Sequence, residues 1–235
     1  ARAAAEKQRL ESELDVARSI QLGILPGKMD CPGYDLSGMM LPAKEVGGDF
    51  YDFFPVGEDK LCLVVADVSG KGMGAALFMT IAKIIIKTVA QANKVSVDEL
   101  LRIANNLLCQ ENPAELFVTA YVAILDITAG TVSYACAGHN PPVIIHRDGT
   151  VEFLPIKHKL PLAAMEETKY PIMHAQILEG ESFILYTDGV TEATNAENEL
   201  YGDARLLEAA RKLHGHSAHE MICEVKANVD HFVSG

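Results

Sequence analysis

Two apolar, strand-like runs in this 235-residue chain each deliver an aspartate beside or close to a glycine at their far end. Leu61-Cys62-Leu63-Val64-Val65-Ala66 leads into Asp67-Val68-Ser69-Gly70-Lys71-Gly72, and Ser182-Phe183-Ile184-Leu185-Tyr186-Thr187 leads into Asp188-Gly189. A fold that accepts these runs must bury them and still keep both carboxylates hydrogen-bonded, paired or bound to a cation, because an ionised carboxylate at the rim of an apolar layer is otherwise costly. A third acidic stretch, Gly47-Gly48-Asp49-Phe50-Tyr51-Asp52, opens another strand-like segment that can bring its oxygens to the same place. Oxygen-only ligands suit a hard cation such as Mg2+ or Mn2+.

The length and a hydrophobic content of 49% allow one sizeable core with an appendage. The 32 acidic and 20 basic residues give a net charge of -12, which repels phosphate backbones and anionic lipid and argues against a nucleic-acid or membrane-surface partner. Cysteines at 31, 62, 109, 136 and 223 form no CxxC pair, and Cys62 and Cys136 sit inside apolar strand patterns. They read as core residues in a reducing compartment, and the fragment is expected to be cytoplasmic. No apolar run approaches the ~18 residues of a membrane span and no signal peptide opens the chain. Because the sequence starts at Ala1, it reads as a piece of something longer, with room for a membrane-anchored sensor upstream.

Residues 3–24 read as one helix, with Ala3, Leu10, Leu14, Ala17 and Ile24 at three- and four-residue steps, and Leu25-Pro26-Gly27 ends it. Lys7 and Gln21 interrupt that stripe, so pairing with a second helix and packing on the chain's own domain are both open. We take 1–25 as a linker or dimerisation helix and 26–235 as the main domain. Short strands are predicted at 34–41, 49–54 and 61–67, the last pair joined at Val56-Gly57-Glu58-Asp59. Two helices follow, over 75–90 and from the capping-box sequence Ser96-Val97-Asp98-Glu99. Strand patterns return at 116–127, 131–137, 143–146, 150–154 and 171–178, and helices close the chain at 204–213 and from a second capping box, Ser217-Ala218-His219-Glu220, to 233. Strand runs split by helix pairs predict an α+β fold with largely antiparallel sheets.

Several residues have competing readings. Gly70 and Gly72 let the backbone turn tightly and approach a ligand, although an ordinary strand-to-helix turn needs the same freedom. A P-loop is rejected because Lys71 is followed by Gly72 and not by Ser or Thr. Asp52 is read as standing behind a ligand or in solvent. His139, in Ala137-Gly138-His139-Asn140-Pro141-Pro142, invites a general-acid role, yet a loop His-Asn pair more often fixes a turn by hydrogen bonds.

Four motifs then occur in an order that resembles one family: residues 42–52 (Pro42 to Asp52), 66–76 (Ala66 to Ala76), 137–142 (Ala137 to Pro142) and 186–193 (Tyr186 to Ala193). The chain resembles the SpoIIE-like branch of the bacterial PPM, or protein phosphatase 2C-like, metal-dependent serine/threonine phosphatases, over residues 18–235. The resemblance implies an α-β-β-α sandwich of two antiparallel sheets with two Mn2+ or Mg2+ ions at one end. It implies that Asp67 bridges both ions, that Asp49 and the Val68 carbonyl bind one and Asp188 the other, and that a metal-activated water attacks phosphorus. Asp52, Gly70, Gly72, His139 and Asn140 would stand behind those ligands. The family's closing strand with its Asp-Asp-x-Thr motif is not in this sequence.

The expected activity is therefore Mn2+/Mg2+-dependent dephosphorylation of serine or threonine on a small regulatory protein, of the STAS-like anti-sigma-factor-antagonist kind, by the output domain of a bacterial signalling protein. A homodimer through the N-terminal helix is an accompanying expectation. A catalytically silent, partner-docking module and a hydrolase of small phosphate esters are the alternatives.

Overall fold

The computed structural model describes residues 2–42, 46–93, 95–110 and 112–235. Ala43, Lys44 and Glu45 of the first motif lie outside the described residues, as does the side chain of Ala3 in the predicted stripe.

Helix α1 (Arg2–Gly23) precedes strands β1 (Phe50–Pro55) and β2 (Lys60–Val68), helices α2 (Met73–Asn93) and α3 (Val97–Gln110), and strands β3 (Val118–Asp126) and β4 (Thr131–Ala137). Three-residue strands β5 (Val143–Ile145) and β6 (Val151–Phe153), then β7 (Met173–Gln176) and β8 (Ser182–Ile184), lead to helices α4 (Asp188–Thr191), α5 (Gly202–Arg211) and α6 (Ala218–Ser234). The strands form a five-stranded sheet in the order β1-β2-β3-β4-β7 and a three-stranded sheet in the order β6-β5-β8, both antiparallel.

Strand alternation explains how these sheets stack. On β2, Cys62, Val64, Ala66 and Val68 face the layer of α2 and α3, where they meet Phe78, Met79, Leu100 and Leu101. Leu61 and Leu63, one step out of phase, face the other sheet and share a core with Tyr121, Tyr134, Leu154, Phe183 and Leu185. The outer side of the small sheet packs Val143 and Ile145 on Leu206, Ala210 and Met221 of α5 and α6. Three cores between four layers make the expected α-β-β-α sandwich.

Three expectations need correction. The alternation over 34–41 yields no ladder, only an isolated bridge between Cys31 and Tyr34, because the segment docks through side chains: Tyr34 and Leu36 join the inter-sheet core while the backbone finds no strand edge. The second apolar run becomes only the three-residue, half-buried β8, and a short helix, α4, starts at Asp188 itself. Finally, α2 over residues 73–92 is long and apolar enough to cross a membrane by length and composition, although half of that window is buried in the fold.

The start of α6 agrees with its sequence: Ser217 accepts from the Glu220 amide while the Glu220 carboxylate reaches back to the Ser217 amide. At the start of α3 the Ser96 hydroxyl bonds the Asp98 carboxylate.

Candidate metal centre

Parity along the strands decides where each acid points. Asp67 is in phase with Leu61 and Leu63, so it projects between the sheets at the end of β2, opposite Thr119 of β3. Asp188 enters from the second sheet two residues beyond the Tyr186 core position, and Asp49 immediately precedes β1. The three carboxylates meet at one end of the inter-sheet cleft. The Asp49 and Asp188 carboxylates both act on Asp67. Burial first, then Asp49 and the other carboxylates, pushes Asp67 up to about 8. Asp188 is raised by burial and by Glu192 and Asp49, with the Gly189 amide and Lys71 opposing.

The surrounding chain holds this crowding in place. Thr187 Oγ1 donates to Asp49 Oδ2 at 2.9 Å, joining the two sheets directly across the site. Gly48 is obligatory for packing: a Cβ there would stand 2.6 Å from the Val68 carbonyl oxygen and 3.2 Å from Asp67 Oδ1. That close approach lets the Val68 amide donate to the Gly48 carbonyl at 3.3 Å, seating the Asp49 loop against the end of β2. On the other side of that loop, the buried Gln21 side chain donates to the Gly47 carbonyl at 2.6 Å and accepts from the Gly47 amide at 3.1 Å.

His139 stands behind the cluster. Its Nε2 faces the Tyr186 carbonyl at 3.0 Å and its Nδ1 the Thr119 hydroxyl at 2.9 Å. A carbonyl only accepts, so Nε2 carries the proton and Thr119 donates to Nδ1. Burial lowers His139 to about 4, which keeps the ring neutral at physiological pH. It therefore ties β3, opposite Asp67, to the segment that delivers Asp188. Asn140 lies half-buried beside Tyr186. Gly70 and Gly72 both have positive φ, at 89° and 81°, in the turn between β2 and α2.

Asp52 does not join the cluster. It lies three residues after Asp49, hence on the opposite side of β1, in phase with Phe50 and Phe54 toward α2. There it forms a buried ion pair with Lys83 and a longer one with Lys87 at 3.7 Å. The charges on an otherwise apolar α2 have their explanation in that pair.

Sequence reasoning missed Thr187, Gly48 and Gln21 as structural supports, and Glu192 as a fourth acid acting on Asp67 and Asp188. The signal for Glu192 was its four-residue spacing from Asp188, which the turn of α4 converts into proximity; its amide donates to the Asp188 carbonyl at 2.7 Å.

The donor set fits hard cations. The oxygens are of the right kind, carboxylates near a half-buried cleft end with a backbone carbonyl beside them where no Cβ intrudes, although among the described residues no three acids stand close enough to clasp one ion without adjustment. A bound cation would supply the counter-charge that offsets this upward shift of Asp67.

Residues 57–235 match the family model described as Stage II sporulation protein E (SpoIIE), a span that takes in Asp67 and Asp188 but not Asp49. The chain is 32% identical over 228 residues to Protein IcfG of Synechocystis sp., covering 83% of this chain and 35% of that protein. It is 28% identical over 188 residues to the phosphoserine phosphatase RsbU of Bacillus subtilis, covering 79% of this chain and 55% of that protein. The chain thus spans about a third to a half of the length of these curated relatives. Among solved structures, the SiaA-PP2C domain of Pseudomonas aeruginosa superposes with a TM-score of 0.84 at 20% identity, over 98% of this chain and 93% of that one, and shows the same fold.

Proposed function

Since this chain belongs to the SpoIIE family of PP2C-like phosphatase domains, we propose that it is a metal-dependent protein serine/threonine phosphatase that dephosphorylates a small regulatory phosphoprotein as the output domain of a longer signalling protein. The observation that carries this reading is the convergence of Asp49, Asp67 and Asp188 at one end of the inter-sheet cleft, with Asp67 pushed up to about 8 by burial and by its acidic neighbours. The likeness to RsbU, a phosphoserine phosphatase by name, supports phosphoserine as the reacting group. A STAS-like protein is the substrate we favour.

In this reading Asp67, Asp49, the Val68 carbonyl and Asp188 would hold two ions, Mn2+ or Mg2+. When bound, the cations supply charge that offsets the phosphoryl oxygens and acidify a water toward neutral pH. The chain's own residues do the positioning. Thr187 fixes the Asp49 carboxylate, Gly48 lets the Asp49 loop close on Val68, and the neutral His139 sets the distance between β3 and the Asp188 segment. Because burial and its acidic neighbours hold Asp67 above the usual carboxylate range, cation binding there would be coupled to proton release.

Hydrolysis of p-nitrophenyl phosphate and of a phosphoserine-bearing STAS protein, with and without Mn2+, tests the proposal. Metal-dependent release of phosphate from both is expected. Binding of the phosphoprotein with no turnover at any Mn2+ concentration would instead identify a silent docking module, and turnover of the small ester alone a hydrolase of small phosphates.

A further inference from the structure

The acidic cluster poses an electrostatic problem for any phosphorylated substrate. Asp49, Asp67, Asp188 and Glu192 act on one another as like charges, and the chain as a whole carries -12. A phosphomonoester dianion must enter that field. Lys71 lies in the turn by which the chain leaves the cluster end of β2, shortly after Asp67 and the Val68 carbonyl, and its charge acts on Asp188. Lys71 is exposed and makes no hydrogen bond or ion pair among the described residues.

The turn is built to present that side chain. Gly70 and Gly72 flank Lys71 with φ of 89° and 81°, a conformation that residues with a Cβ rarely adopt. The base of the turn is stapled to the start of β3: the Ser69 amide donates to the Phe117 carbonyl at 2.8 Å, and the Phe117 amide donates to Ser69 Oγ at 2.9 Å. A fixed base with a free cation at its tip differs from the buried Lys83, which is consumed by Asp52. Beside the turn, Met73, Leu77 and Phe117 expose 42%, 61% and 42% of their surface, an apolar rim suited to the protein part of a phosphoprotein.

We infer that Lys71 is a substrate-binding residue whose ammonium contacts the phosphoryl oxygens of the incoming phosphoserine or phosphothreonine. This rests on the phosphatase reading above and adds a phosphate contact from the chain itself to whatever the cations provide. Lysine suits the task as a mobile point charge on a flexible stem. The same charge works against cation binding, since it sits near Asp188. Its removal must therefore have opposite effects on the two ligands, which a merely structural residue would not show.

The test compares wild type with Lys71→Ala and Lys71→Arg by calorimetric titration of Mn2+, calorimetric titration of inorganic phosphate at saturating Mn2+, and KM for p-nitrophenyl phosphate. Lys71→Ala should bind Mn2+ at least as tightly as wild type while its phosphate affinity falls and its KM rises by about tenfold, the scale of one hydrogen bond to a charged group. Lys71→Arg should restore most of both. Unchanged phosphate affinity in Lys71→Ala, or loss of phosphate and Mn2+ affinity together, overturns the inference, as does a wild type that binds no phosphate. Lys71-dependent phosphate binding in a wild type that never hydrolyses the ester would sustain it and sink the phosphatase reading alone.

Discussion

Gln21, in the last turn of α1, and Gly47, two residues before Asp49, hold each other by two hydrogen bonds, one in each direction between a side-chain amide and a peptide unit. The end of the N-terminal helix is thereby fastened to the loop that carries a proposed cation ligand. Gln21→Ala leaves the half-buried Gly47 amide and carbonyl without these partners, a cost of about 1–3 kcal/mol. Thermal unfolding should register the loss, and Mn2+ titration should show weaker binding through a displaced Asp49. Gln21→Glu can still accept from Gly47 but cannot donate to it, so it should fall between wild type and Ala.

Asp67→Asn should abolish phosphatase activity and raise the melting temperature of the metal-free protein. The carboxyl pays for its burial and for its neighbours Asp49 and Asp188, and a neutral amide of the same shape relieves that. Asp67 is only half-buried, so solvent screening limits the gain to about 1 kcal/mol, or roughly 2–4 °C. Calorimetry in EDTA and turnover in Mn2+ read the two effects separately; an unchanged or lower metal-free melting temperature would contradict the electrostatics described.

Breaking the pair beneath α2 should affect stability alone. Lys83→Met leaves Asp52 buried with only the longer contact to Lys87, at an expected cost of about 3–5 kcal/mol. The double change Asp52→Leu, Lys83→Met should recover most of it. Because Asp52 faces away from Asp67, the double variant should keep its Mn2+ affinity, and a large fall in that affinity would give Asp52 a role at the metal centre.

His139 sets an acid limit on stability. Its pKa is lowered to about 4 by burial, below the unfolded value of 6.5, so the unfolded chain binds more protons between those limits. The neutral ring's contribution is full above about pH 6.5 and declines as pH falls toward 4, by on the order of 3 kcal/mol in total. Urea unfolding between pH 4 and 7 should show a steeper fall for wild type than for His139→Gln.

Helix α1 is expected to pair with a second copy of itself. Leu10, Val16 and Ile20 expose more than half of their surface, apolar area that a second helix would cover. Deleting residues 1–17, which keeps Gln21, should lower the apparent mass in analytical ultracentrifugation. A monomeric wild type would rule this out.

Much of the local structure was legible because it rests on short-range pattern. The alternation of Leu61 to Val68, the glycine turns and the Ser217–Glu220 box each state their own geometry. Where pattern had two outcomes, it misled: residues 34–41 alternate like a strand, but nothing in the alternation says whether a neighbouring strand edge is available. The N-terminal stripe likewise names apolar positions without naming what covers them.

By itself, the sequence determined the α+β class, the order of nearly all elements and the aspartates worth watching, since these follow from side-chain period, turn chemistry and motif order. Only the tertiary structure took Asp52 away from the site altogether and gave it a partner, because the packing of α2 on that face of β1 decides that it meets Lys83. Tertiary structure alone also made Gly48, Thr187, Glu192 and Gln21 part of the site. Their partners lie on other elements or across a turn, at separations in the chain of up to 138 residues in the case of Thr187 and Asp49, and no local pattern encodes a contact at that range.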